Sequence, residues 1–207
     1  MRSWLPCRRL KRKTSSVSYI EEDKLGFHFG AGWEVAKYDD QPIYRAIDKA
    51  VPHTDRCPGT KGVDFVATNG NAVTLVEVKD FRLGRVQNRD LEAEVPAKVR
   101  DTCAGLIASS RRSPDALWQK VGASVVEQKR HLFIVLWLEE DMPPARHKVR
   151  CSVLQKQLKK SLHWIGTRRV LVVSRNTLGA SSIAGIERVE SLAGASTATN
   201  PTLGKTK

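Results

Sequence analysis

The sequence predicts an α/β fold in which a mixed central β-sheet is flanked by helices. Three observations carry this reading. HLFIVLWL (131 to 138) is a continuous apolar run, as strands covered on both faces are, and RRVLVVS (168 to 174) reads as a second buried strand. GVDFVATNGNAVTLVEVKDFR (62 to 82) reads as two apolar strands around an Asn-Gly turn signal. Stripes at helical spacing separate these segments, and strands alternating with helices assemble as a sheet covered by helices.

The elements follow in order. Residues 1 to 19 hold Arg2, Arg8, Arg9, Lys11, Arg12 and Lys13 and no acid, and read as a disordered basic arm. They lack a signal-peptide core. An organelle transit peptide is the alternative, weakened by the absence of an amphipathic period. Residues 25 to 38, rich in glycine and aromatics, suit one or two short strands. Ile43, Ile47 and Val51 share one face of a helix over 42 to 51, with Pro42 at its start and Pro52 at its end. A loop rich in turn residues leads to the hairpin strands, 62 to 68 and 72 to 79.

After a basic loop, Val99, Cys103, Leu106 and Ile107 predict a helix over 91 to 109. Ser113 as cap and Pro114 at the first position start the next, with Leu117, Val121 and Val125 on one face. Leu154, Leu158, Leu162 and Ile165 mark a further helix, with Lys156, Lys159 and Lys160 elsewhere on its surface. A weak helix is expected at 183 to 193. The domain is therefore expected over 20 to 178, with a weakly ordered tail from 179 to 207. Trp118, Trp137 and Trp164 fall in apolar stripes and read as core.

The net charge of +13 favours polyanions, nucleic acid above all. Residues 1 to 19 hold six of those charges and residues 194 to 207 hold two, leaving +5 for residues 20 to 193. Cys7, Cys57, Cys103 and Cys151 lie far apart and form no CxxC pair, so they read as free thiols in a reducing, cytoplasmic setting. His53 and Cys57 have no second ligand pair, so zinc is not expected. The longest apolar run is too short to cross a bilayer.

The hairpin holds the chemistry. Asp64, Glu77 and Lys79 sit among apolar residues. Side chains alternate between faces, so a two-residue turn puts all three on one face. With Asn69-Gly70 as the turn, Asp64 opposes Leu75; with Gly70-Asn71, it opposes Glu77. A three-residue turn would separate Asp64 from the others. The bland alternative is an edge hairpin whose charged face is solvated. Buried carboxylates otherwise need a partner or a metal. Mg²⁺ takes hard oxygen ligands and uses one or two carboxylates. A lysine two residues on, about 7 Å along the strand, can position water or stabilise charge on phosphate.

Asp64, then twelve residues, then Glu77-Val78-Lys79 resembles the PD-(D/E)xK nuclease superfamily, from the first helix to residue 138 and on toward 175. The resemblance implies a restriction-endonuclease-like core. It also implies a Mg²⁺- or Mn²⁺-dependent endonuclease that leaves a 5′-phosphate, with DNA as the expected substrate. Asp64, Glu77 and the Val78 carbonyl would hold the metal, and Lys79 would position the water. Asp48 is the candidate accessory acid, with Glu34 behind it. Val63 stands where proline often precedes the aspartate, and the family's occasional glutamine on the following helix is not seen.

Arg82, Arg85, Arg89 and Lys61 are candidate phosphate contacts, whereas Lys98 and Arg100 read as helix-surface decoration. No specificity domain is recognisable. Expected partners are DNA, a protein that supplies targeting within a defence or repair system, and a second copy of the chain in a homodimer; no membrane is expected. The alternative is a non-catalytic nucleic-acid-binding or assembly protein on the same scaffold.

Overall fold

The computed structural model describes residues 18–50, 53–54, 57–82, 90–127, 131–167, 169–178 and 183–192. The expectations for residues 1 to 17, for Arg85 and Arg89, and for the tail beyond 192 lie outside them. The fold is mixed α/β.

β1 (Ser18–Glu22) and β2 (Leu25–Phe29) form a hairpin, followed by β3 (Glu34–Lys37) and α1 (Pro42–Ala50). Two short strands, β4 (His53–Thr54) and β5 (Cys57–Pro58), pair with each other. β6 (Phe65–Thr68) and β7 (Ala72–Asp80) make the charged hairpin. α2 (Leu91–Arg112) and α3 (Ala116–Val126) lead to β8 (His131–Glu139). Then come α4 (Pro144–Ser161), β9 (Arg169–Val173), the single turn α5 (Arg175–Leu178) and β10 (Ile186–Ser191).

Five strands form the main sheet in the order β3-β6-β7-β8-β9. β3, β6 and β7 run antiparallel, and β7, β8 and β9 run parallel. β7 is therefore central, and all nine of its residues are buried. The solvated-edge reading of the hairpin does not hold.

One face of the sheet carries Val73, Leu75, Ile134 and Leu136, which pack against Val95, Val99 and Leu106 of α2 and Leu154 and Leu158 of α4. The other face carries Phe65, Val76, Val135 and Trp137, covered by Leu25, Phe27, Phe29 and Ile186. Those covering residues belong to a second sheet of order β1-β2-β10. Phe27 joins the layers edge-on, 5.1 Å from Phe65 and 5.3 Å from Trp137 between ring centres.

Four sequence expectations change. The segment at 183 to 193 is a strand rather than a helix: β10 pairs with β2 about 160 residues upstream, and Ala184 and Gly185 turn the chain with φ of 52° and 94°. Ser18 and Tyr19 belong to β1 and not to the arm. The cap of α3 is Asp115, whose side chain accepts from Leu117 N, while Ser113 ends α2. Trp118 and Trp137 are core, but Trp164 is 55% exposed on the turn after α4.

Candidate active site

The hairpin register decides the site. Phe65 pairs with Val76 and Thr68 with Val73, which leaves Gly70-Asn71 as a two-residue turn. Gly70 has φ of 88° at the first central position, where a type II′ turn requires glycine. Asn69 sits outside the centre, and its side chain accepts from Asn71 N and Ala72 N. The register continues to Asp64 opposite Glu77, so both acids and Lys79 face α2.

At Asp64 the two strands part. Residues 60 to 63 are drawn toward the helices instead of continuing along β7. Thr60 donates twice to Asp48, Lys61 N donates to Asp101, and Val63 N donates to the Thr102 hydroxyl. Val78 N, facing the vacated edge, is taken by Asp64 Oδ2 at 2.6 Å. The Val78 carbonyl lies on the same strand edge as its N–H, toward Asp64.

The cluster around Glu77 is dense. Glu77 is 1% exposed. Its Oε1 receives Lys79 Nζ at 2.7 Å and Lys98 Nζ at 2.7 Å. Lys98 also reaches Asp64 Oδ1 at 3.5 Å, and Lys79 reaches Glu94 Oε1 at 3.0 Å. Glu77 Oε2 is buried and has no hydrogen-bond partner among the described residues.

Burial pushes the Glu77 carboxyl up to about 7, the Asp64 charge adds to the rise, and the two ammoniums oppose it. Burial works against the Lys98 ammonium, but the charges of Glu77 and Asp64 outweigh it and hold its pKa above the usual lysine range. Glu22, paired with Lys37 at 2.9 Å, and Asp39 lie close enough to Asp64 to feel its charge. Burial is the larger cause of the raised pKa of both.

Lys98 is the functional candidate that the sequence pattern hid. Expected on a helix surface, it turns inward, because Glu94 and Lys98 share the α2 face beside Val95 and Val99. A Glu-Lys pair four apart ordinarily reads as an exposed helix pair. Here Lys79 takes Glu94, and Lys98 bridges the two hairpin acids.

Asp48 holds the Thr60 loop. Glu34 is exposed on β3, opposite Thr68. Arg82 is gripped by both oxygens of Asp80, at 2.7 Å and 2.6 Å. Lys61 lines a cleft of about 630 Å³ with Asp90, Ala93, Glu94 and Ala97. Glu94 joins that cleft to Lys79.

A divalent cation fits this donor set in one respect and is opposed in another. The partnerless Glu77 oxygen, Asp64 and the Val78 carbonyl offer hard oxygens where a buried carboxylate lacks compensation. Yet no group of three or more His, Cys, Asp or Glu residues suited to a metal occurs among the described residues, and two ammoniums already touch Glu77.

No family model matches the chain, and no solved structure matches it. Part of the chain is similar to a cysteine–tRNA ligase of Neisseria meningitidis, 27% identical over 159 residues. The match takes in 64% of this chain and 22% of that ligase. Among the described residues, no helix is long and apolar enough to cross a membrane.

Proposed function

We propose that the chain is a metal-dependent nuclease of the PD-(D/E)xK type, with a restriction-endonuclease-like core, acting on DNA. The observation that supports it most is Asp64, Glu77 and Lys79 on one sheet face, with Glu77 and Lys79 buried, Glu77 Oε2 left without a partner among the described residues, and Lys79 joined through Glu94 to a cleft.

Asp64, Glu77 and the Val78 carbonyl would hold Mg²⁺ or Mn²⁺, which supplies positive charge for the phosphate oxygens. Lys79 holds the attacking water on the cleft side of Glu77, and Lys98 keeps Asp64 and Glu77 apart in charge and close in space. The water oxygen bonds to phosphorus as the P–O3′ bond breaks. The water's proton passes to bulk solvent and the departing 3′-oxygen takes a proton from solvent, leaving a 5′-phosphate and a 3′-hydroxyl. Targeting by a partner protein or a second copy of the chain belongs to the same proposal, as does a cytoplasmic setting.

One observation favours a second reading, a non-catalytic nucleic-acid-binding or assembly protein. The ion pairs of Lys79 and Lys98 already compensate Glu77 Oε1. The similar ligase carries tRNA in its name, so RNA belongs in the test. Purified chain should cut plasmid, single-stranded DNA or RNA with Mg²⁺ or Mn²⁺, and EDTA and Lys79→Ala should each stop it. Absence of cutting of all three under both metals favours the second reading.

A further inference from the structure

We infer that the solvent face of α4 is a nucleic-acid-binding surface, gripping the phosphate backbone through lysines while Trp164 stacks on a base. The inference rests on the nucleic-acid part of the proposed function and not on its chemistry.

The charge distribution is the first observation. Residues 142 to 186 contain nine Lys and Arg and no Asp or Glu. Arg146, Lys148, Lys156, Lys159 and Lys160 of α4 are all exposed. Of the α4 lysines and arginines, Arg150 is the one paired with a carboxylate among the described residues, at 2.8 Å from Glu140. The buried face of α4 is already spent on the core through Cys151, Leu154 and Leu158. What remains outward carries these cations, with Val149 and Val153 exposed between them.

Helix stability does not account for it. Cations near a helix C-terminus complement the helix dipole, which explains Lys159 and Lys160. Arg146 and Lys148 sit near the opposite end, where positive charge is unfavourable and acids are preferred. The first turn of α4 has no acid and no side-chain cap. A positive helix start with uncapped N–H groups suits an anion lying across it.

Geometry gives the surface a length. Lys148 and Lys159 are three turns apart on one side of α4, and Lys156 and Lys160 line the next row. Lys148 to Lys160 spans about 18 Å, over which one nucleic-acid strand carries several phosphates. Trp164 follows directly, 55% exposed. Exposed aromatics beside a basic track are how single strands are held without sequence preference.

The surface also lies beside the candidate site. A cleft of about 340 Å³ separates α4, through Arg150, Val153 and Gln157, from the start of α2 at Asp90 and Glu92. Asp90 borders the cleft that reaches Glu94 as well. A strand lying on α4 is thus one helix terminus away from Lys79.

The test measures binding of the full chain to a labelled single-stranded DNA oligonucleotide and to a duplex, by fluorescence anisotropy in EDTA across a salt series. The triple variant Lys156→Glu, Lys159→Glu, Lys160→Glu should bind both at least tenfold more weakly. Its salt slope on the single strand should fall by about 2, because three phosphates are no longer neutralised. Trp164→Ala should lose roughly tenfold on the single strand and little on the duplex.

Wild-type affinity and slope in the triple variant would overturn the inference. So would wild-type binding to vesicles containing phosphatidylserine without binding to either oligonucleotide, or no binding of wild type to either oligonucleotide. Wild-type chain that binds the oligonucleotides but cuts no nucleic acid with Mg²⁺ or Mn²⁺ sinks the nuclease reading and leaves this one standing.

Discussion

Val78 donates its backbone N–H to the Asp64 carboxylate at 2.6 Å, where a sheet neighbour's carbonyl would otherwise accept it. One residue thereby ends the β6-β7 ladder and supplies an acid to the space that opens. The other oxygen of the same carboxylate faces Lys98 at 3.5 Å. Structure and charge are coupled at this position, and they can be separated by substitution.

Asp64→Asn keeps an acceptor for Val78 and removes the charge. It should unfold within about 1 kcal/mol of wild type in urea, while Asp64→Ala, which strands the Val78 N–H, should lose roughly 1–3 kcal/mol. Both should abolish metal-dependent cleavage. Equal destabilisation by the two variants would show that the hydrogen bond is not what Asp64 contributes.

Lys98→Ala leaves Glu77 with Lys79 alone. Breaking a buried pair costs about 3–5 kcal/mol when no other partner remains. With Lys79 still in place and the Lys98 side chain 16% exposed, a smaller loss, about 2 kcal/mol, is expected. The loss should shrink as pH falls, because Glu77 can then take up a proton. Urea midpoints at pH 6 and pH 8 measure it, and a surface lysine would show no effect at either pH.

The Glu77 carboxyl is raised to about 7, chiefly by burial and then by Asp64. A raised folded-state value means that the folded chain binds the extra proton. The stability contributed by that proton is fully present below the ordinary glutamate range and is lost as pH rises through about 7. Cation binding runs the other way, since it requires the ionised carboxylate. Mn²⁺ affinity by calorimetry should therefore strengthen from pH 6 to pH 8 and then level. Glu77→Gln should remove that pH dependence.

Burial pushes the Cys103 thiol up to about 12 and the Cys151 thiol up to about 11. Neither should react with iodoacetamide in the folded chain at pH 8, because the thiolate is the nucleophile. Both should react at once in urea. Mass spectrometry of labelled peptides distinguishes the outcomes, and rapid native labelling of Cys103 would contradict the packing of α2.

Much of this arrangement was legible from local pattern. The Asn-Gly region and its apolar flanks marked the hairpin, and the alternation of faces put Asp64, Glu77 and Lys79 together once the turn had two residues. Apolar runs marked β8 and β9 because both faces of those strands are covered. What local pattern missed depends on distant partners. β10 is a strand because β2 offers an edge, and a window over 183 to 193 contains no trace of that. Lys98 looked solvated because its partners are carboxylates of the hairpin, 21 and 34 residues upstream. Trp164 looked like core because the helical stripe was extended past Ser161, where α4 stops.

The proposed nuclease chemistry requires Asp64 and Glu77 to form a cation site served by Lys79. Anomalous diffraction from a crystal soaked in Mn²⁺ tests it most directly. A peak should appear within bonding distance of Asp64 and Glu77 Oε2 and be absent in Glu77→Gln. No peak at millimolar Mn²⁺, with Glu77 Oε1 still held between Lys79 and Lys98, would contradict it.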